Sequence, residues 1–256
     1  MDDLNSVLGK SFAILDAVAD HGELRVSEIV RITGVPKTTA HRLVGRLCEW
    51  GALHEDGGVY RLGIRMFEMG RAVLTVRRLC EVARPYLLDL YQVTDGVVHL
   101  GIRVGREALV VEKVAGHGPL PATTDVGTRL PLHSNALGKA LLLGGDGELL
   151  GQLRQSGLQP LTPYTIVEAG LLAEQLLDAG RRGYTTDFEE LRIGVGSVAA
   201  PVRSRHRLPI AAVAVTMPAG RFRPTNVAPA IVAAAAALSR ELAESSRGHL
   251  LATSGA

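Results

Sequence analysis

The chain has 256 residues, 46% of them hydrophobic and 4% aromatic, with a formal net charge of +2. That length predicts two domains, and the apolar share excludes a disordered chain. Scarce aromatics argue against stacking on unpaired bases as a main activity. A near-neutral charge excludes general affinity for nucleic acid, so any such binding must come from local placement of charge.

Two cysteines, Cys48 and Cys80, make no disulfide framework; each lies in an apolar helical stretch and reads as a structural thiol in a reducing compartment. The start, "MDDLNSVLGK", lacks the basic and apolar regions of a secretion signal. The longest apolar run, "VAPAIVAAAAAL", is too short to span a bilayer. The chain therefore reads as soluble and cytoplasmic, with no membrane partner.

Residues 6 to 20 place Val7, Leu8, Ile14, Leu15 and Val18 at helical spacing, and "HGE" breaks the helix. "VSEIVRITG" predicts a short second helix with Ser27 as N-cap and Gly34 as stop. Pro36 opens a third helix, where its missing N–H costs nothing, and Gly51 ends it after Trp50. In "ALHEDGGVYRLG", Asp56-Gly57-Gly58 is a hairpin turn between two short strands. "IRMFEMGRAVLTVRRL" continues as a helix and reads as a rigid connector. The expected organisation is residues 1–63, a linker helix over 64–78, and a mixed α+β unit over 79–256.

In that unit, "CEVARPYLLDLYQVTDG" is helical, and "VVHLGIRVGREALVVEKVAG" alternates as two strands turning at Gly105-Arg106. "LHSNALGKALLLGG" and "TIVEAGLLAEQLLDAGRRG" are helical, while "GYTTDFEE", "GSVAAPVRS" and "LPIAAVAVTMP" are strand-like. An Ala-rich helix over 226–247, stopped by Gly248, closes the chain.

Winding residues 37 to 51 at about 100° per residue gathers Ala40, Leu43, Val44, Leu47, Trp50 and Gly51 on one side. Thr38, His41, Arg42, Gly45, Arg46 and Glu49 gather on the other. An ordinary surface helix has the same pattern. Three features point past it. Arg25, Arg31, Lys37, Arg42 and Arg46 face only one acid, Glu28, between residues 25 and 46. The spacing is that of a helix-turn-helix. Lys37, Thr38, Thr39, His41 and Arg42 are small or hydrogen-bonding residues able to enter a major groove, and Gly45 allows close approach of a backbone. The hairpin supplies a wing, with Arg61 placed to reach phosphate.

"SFAILDAVADHGE…VSEIVRITGVPKTTAHRLVGRLCEWGAL…YRLG" closely resembles the DNA-binding half of the IclR family of bacterial transcriptional regulators. "LPLHSNALGKALL", "RRGYTTDFEELRIGVGSVAAPV" and "PIAAVAVTMP" resemble that family's effector-domain motifs, in order, so the likeness covers nearly the whole chain. The resemblance implies a winged helix, a linker helix and a GAF-like effector-binding α/β domain with an antiparallel sheet. It also implies dimers or tetramers on palindromic double-stranded operators. Thr38, Thr39, His41 and Arg42 become candidates for base edges or adjacent phosphates, and Arg46 and Arg61 for phosphate anchoring.

"TRLPLHSNALGKALLL" suggests Ser134 as N-cap of a helix whose first N–H groups, at Asn135, Ala136 and Leu137, attract an anion. From these residues alone a plain capped helix is the favoured reading, which the resemblance reverses. The resemblance implies an effector beside this helix start, a small organic acid at family level. Matching motif positions give Leu130, Ala136, Leu137, Asp187, Val195, Ser197, Ala214 and Thr216 as walls. Many relatives carry Cys at the position of Ser197, and one carries Ser at that of Ala214, so the effector differs from those of better-known members.

Enzymatic patterns fail. "GKA" at 138–140 has His133 where a P-loop needs Gly, and "GVGSVA" leads into a strand rather than a helix. Ser197 is in no nucleophile elbow, "DFEE" reads as a solvated turn, and the histidines lack metal spacing. No cofactor is expected. Two alternatives stand beside the effector-responsive regulator: a DNA-binding protein whose α/β domain only oligomerises, and an enzyme acting on a small acid.

Overall fold

The computed structural model describes residues 6–116, 124–144 and 147–253, with side chains beyond residue 244 left aside. Residues 1–5, on which the reading of the start partly rests, lie outside that set. The chain divides into two compact units, Met1–Arg77 and Arg78–Ala256.

The first unit contains α1 (Val7–His21), β1 (Leu24–Arg25), α2 (Val26–Thr33), α3 (Lys37–Glu49), β2 (Leu53–Asp56), β3 (Val59–Leu62) and α4 (Ile64–Arg71). The Ser6 hydroxyl accepts from the Gly9 N–H at 2.9 Å and starts α1. The second helix begins two residues earlier than Ser27 capping requires. Its N-cap is Arg25, whose N–H donates to the Glu28 carboxylate at 2.8 Å, so an acid three residues on satisfies the free end instead. Gly57 and Gly58 take φ of 57° and 81°, which an L side chain rarely adopts, and close the hairpin. The sequence reading omitted β1, which adds to the far side of β3 to give the order β1-β3-β2. Ile14, Val18, Ile29, Val35, Ala40, Leu43, Val44 and Leu53 form the core of this unit. Trp50 does not join them: it is exposed, with the Arg65 guanidinium 4.6 Å from its ring centroid.

The connector is not one helix. It ends at Arg71, turns at Ala72 and Val73, and restarts as α5 (Leu74–Thr94), which runs through Pro85. Gly70 offers the weakest helix propensity in this stretch, at the point where the turn forms.

The second unit continues with β4 (Val97–Val104), β5 (Glu107–Val114), β6 (Arg129–Pro131), α6 (Ala136–Leu142), α7 (Gly147–Ser156), α8 (Ala169–Arg182), β7 (Thr185–Phe188), β8 (Val195–Arg203), β9 (Pro209–Pro218) and α9 (Pro224–Thr253). The last helix passes Gly248 rather than stopping there. Six strands form one antiparallel sheet in the order β6-β5-β4-β9-β8-β7. Alternation sorts its residues by size. Val98, Leu100, Val198, Val202, Val213 and Val215 pack against Leu87 and Leu90 of α5 and Ile231 and Leu238 of α9. The other face carries Ala108, Ala199, Ala212 and Ala214, small enough to let α6 lie close. A side chain at Gly101 would meet Leu137 Cδ2 at 2.5 Å, and one at Gly138 would meet the Leu132 backbone at 2.6 Å. These approaches bury the whole of α6, including Lys139.

Candidate nucleic-acid interface and ligand cavity

On α3, Lys37, Thr38, His41, Arg42, Gly45 and Arg46 are exposed, and Thr39 is half-buried. Ala40, Leu43 and Val44 on the opposite side are buried, so packing aims the polar row outward. Among the described residues, Lys37, Arg42 and Arg46 form no ion pair, so their charges are available to a polyanion. Arg61 differs. Its guanidinium lies 2.7 Å from Glu23 and 3.9 Å from Asp56, and the Glu23 hydrogen bond holds its pKa up. The expected phosphate contact from the wing thus starts from an arginine already paired within its own unit. Glu23 stands 38 residues away in the chain, and nothing local signalled the pairing.

In the second unit, α6 and the small-residue face of the sheet border a partly open cavity of about 40 Å³. It is lined by the expected walls Leu130, Ala136, Leu137, Ser197, Ala214 and Thr216, by Asn135 of the expected helix start, and also by His99, Val110, Thr124 and Leu191. The volume is on the order of a few water molecules, so a larger guest requires the walls to move.

The expected Ser134 cap is corrected. Asn135 is the N-cap, its side-chain oxygen accepting from the Gly138 N–H at 2.7 Å while its amide nitrogen donates to Pro131 O at 2.6 Å. Ser134 is fully buried, its hydroxyl 3.4 Å from Pro131 O, and does not line the cavity. Asn135 thus satisfies the Gly138 N–H, while Ala136 and Leu137, the first two residues of the helix, line the cavity. Ser197 and Thr216 share a hydrogen bond of 3.0 Å between their hydroxyls, leaving one spare O–H for a guest.

Val195 and Asp187 are also set apart from the cavity. Val195 is buried at the start of β8. The Asp187 carboxylate accepts from the Glu190 N–H at 2.8 Å, and burial pushes its pKa up to about 7. Beside it, Lys139 Nζ reaches both Glu190 oxygens, at 2.6 and 2.7 Å, and Thr186 O at 3.3 Å. Burial lowers the lysine's pKa, against the pull of Glu190. This network pins the loop that carries Leu191 to the cavity wall.

His99 is the wall residue of most chemical consequence. It is 5% exposed and sits on β4 opposite Ala214. Its Nε2 lies 3.2 Å from Thr124 O. Burial lowers its pKa to about 4, so the ring is neutral at ordinary pH. The signal available in the sequence was a lone histidine among the apolar residues that open the strand.

Burial raises the pKa of both cysteine thiols, so neither is activated as a thiolate. The Cys80 thiol donates to Val111 O at 3.4 Å, and burial pushes its pKa up to about 11. Among the described residues no cluster of His, Cys, Asp and Glu could hold a metal, and no helix is long and apolar enough to cross a membrane.

Three helices presenting an unpaired basic row, with a β-hairpin wing, define a winged-helix DNA-binding regulator. Known proteins agree: residues 7–57 match the IclR helix-turn-helix domain, and residues 71–243 match the bacterial transcriptional regulator IclR C-terminal domain. The chain belongs to the IclR family of bacterial transcriptional regulators.

It is 30% identical over 224 residues to the HTH-type transcriptional regulator KipR of Bacillus subtilis, covering 87% of this chain and 90% of that one. It is 32% identical over 211 residues to the HTH-type transcriptional regulator XynR of Escherichia coli, covering 81% and 84%. Among solved structures, an IclR homolog complexed with 4-hydroxybenzoate from Microbacterium hydrocarbonoxydans superposes with a TM-score of 0.84, at 26% identity, covering 93% of this chain and 99% of that one. This chain is accordingly a DNA-binding transcriptional regulator and not an enzyme.

Proposed function

We propose that this regulator binds palindromic operator DNA as a homo-oligomer in the cytoplasm and that a small organic effector in the α6 cavity changes its operator affinity. The observation that carries the DNA role is the row Lys37, Thr38, His41, Arg42 and Arg46, exposed and, among the described residues, without an internal ion pair. Thr38, Thr39, His41 and Arg42 read base edges or adjacent phosphates, and Lys37 and Arg46 anchor the backbone. Arg61 joins them only by leaving Glu23. In this division of labour residues 1–63 bind DNA, 64–78 link, and 79–256 sense and oligomerise.

Self-association is supported by the apolar side chains that α1 and α4 leave in solvent: Val7, Leu8 and Phe12 on one, Ile64, Phe67 and Met69 on the other. Two copies would present two α3 helices to half-sites about one DNA turn, roughly 34 Å, apart.

The effector role is supported by a cavity that combines apolar walls with a few polar groups, and by the 4-hydroxybenzoate held by the structural relative. An effector that prefers one arrangement by about 1 to 3 kcal/mol alters operator affinity roughly five- to 150-fold. The small void favours one competing reading, in which the α/β unit only oligomerises.

The test is operator selection from random DNA, followed by affinity measurements with each compound of a metabolite thermal-shift screen. A compound that raises the melting temperature and shifts operator affinity supports the proposal. Hits that leave operator affinity unchanged end the coupling, and a screen without hits favours the oligomerisation reading.

A further inference from the structure

Thr124 O can only accept, so the hydrogen bond at 3.2 Å places a proton on His99 Nε2. In the neutral ring Nδ1 is then a bare acceptor. Among the described residues it has no hydrogen-bond partner, although the side chain is almost wholly buried and lines the cavity. It opens on the cavity, where water or a guest can donate to it.

Among the described residues no unpaired cationic side chain faces the ring. Across β5 stands Lys113, whose Nζ is tied 2.7 Å from Asp125 Oδ1. The β9 neighbour is Ala214, and α6 presents Asn135, Ala136 and Leu137; none of these titrates. Among the described residues no other one lining the cavity is ionisable. Lys139, one turn along α6, is committed to Glu190.

We propose that His99 Nδ1 selects the effector by accepting a hydrogen bond from it, so that the cavity takes a molecule presenting a hydroxyl group there and admits a carboxylate only together with one proton. An ionised carboxylate facing Nδ1 sets two acceptors against each other, with no unpaired cationic side chain beside them among the described residues. One proton drawn from solvent removes the conflict. Placed on Nδ1 it makes an imidazolium beside the carboxylate; placed on the acid it makes an O–H that donates to Nδ1. Either way one proton is taken up for each carboxylate bound, and none for a hydroxyl.

The inference rests on the effector reading above and is tested on the full-length protein with three probes: phenol, its methyl ether anisole, and benzoate. Hits from the metabolite screen are sorted by the same criterion. Phenol should bind at least about tenfold more tightly than anisole, since the ether cannot donate. His99→Phe should abolish that preference. His99→Asn, whose amide oxygen falls near the place of Nδ1, should restore part of it. Calorimetry of benzoate at about pH 7.5 in phosphate and in Tris, whose ionisation heats differ, should report uptake of about one proton per site.

Equal binding of phenol and anisole, an unchanged preference in His99→Phe, or carboxylate binding without proton uptake overturns the inference and leaves the effector reading standing. No response to any probe or metabolite ends both. The wild-type comparison of phenol with anisole needs no variant, so a misfolded His99→Phe does not blunt the test.

Discussion

The ammonium of Lys139 lies 2.6 and 2.7 Å from the two carboxylate oxygens of Glu190, and the two side chains are only 1% and 8% exposed. The pair joins α6 to the loop after β7, two segments 51 residues apart in the chain. Removing one partner leaves the other charge buried alone. Lys139→Met should therefore destabilise the protein by about 3–5 kcal/mol in urea unfolding, whereas the double variant Lys139→Met/Glu190→Leu should recover most of that loss. A double variant no more stable than the single one would show that the pair's other contacts, not its charges, hold the loop.

His99 predicts a pH dependence of stability. Its pKa is about 4 in the fold, lowered from 6.5 first by burial, so between those values the unfolded chain binds more protons than the folded one. Stability must then be full above about pH 6.5 and fall as pH drops towards 4, by an amount on the order of 3 kcal/mol. His99→Asn does not titrate and should lack this part of the slope. Denaturation curves of both proteins across that range provide the check, and parallel pH profiles would contradict a buried neutral ring.

On α3 the two exposed arginines should separate by role. Arg42→Ala should weaken the selected operator by about 1–3 kcal/mol and relax its sequence preference. Arg46→Ala should weaken all sequences alike and reduce the salt slope of binding by about one. Fluorescence anisotropy against operator and scrambled duplexes, at several salt concentrations, distinguishes the two. Identical behaviour of both variants would remove the division between base reading and phosphate anchoring.

Gly138→Ala should be harmful despite the better helix propensity of alanine. The added methyl would stand 2.6 Å from Leu132 Cα and Leu132 O, and backbone cannot swing aside as a side chain can. A loss of about 1–3 kcal/mol in urea unfolding is expected. At Gly45, where an added methyl meets nothing within 4 Å, alanine should cost no stability, which makes it the internal control.

The elements legible in the sequence are those set by neighbours a few residues apart. The third helix could be read from its apolar spacing, the hairpin from Asp56-Gly57-Gly58, and the turn of β4 into β5 from Gly105-Arg106. The alternation of "GSVAAPVRS" and "PIAAVAVTMP" likewise showed strands. Where local signals competed, the reading slipped. Both Ser134 and Asn135 are good caps, and the choice fell to Asn135 because its side chain reaches Gly138 N–H and Pro131 O together. The break after Gly70 was hidden because the flanking residues keep helical spacing.

The sequence by itself determined the winged helix-turn-helix, its outward basic row and the mixed unit that follows, since these depend on periodicity, turn residues and local charge. Only the tertiary structure decided that Arg61 is tied to Glu23, that Lys139 closes on Glu190, and that His99, Thr124 and Leu191 join the wall of the cavity. The reason is physical. These contacts are made by strand pairing and by the close approach of α6 to a face of small residues, which bring together side chains whose separation along the chain carries no periodic signal.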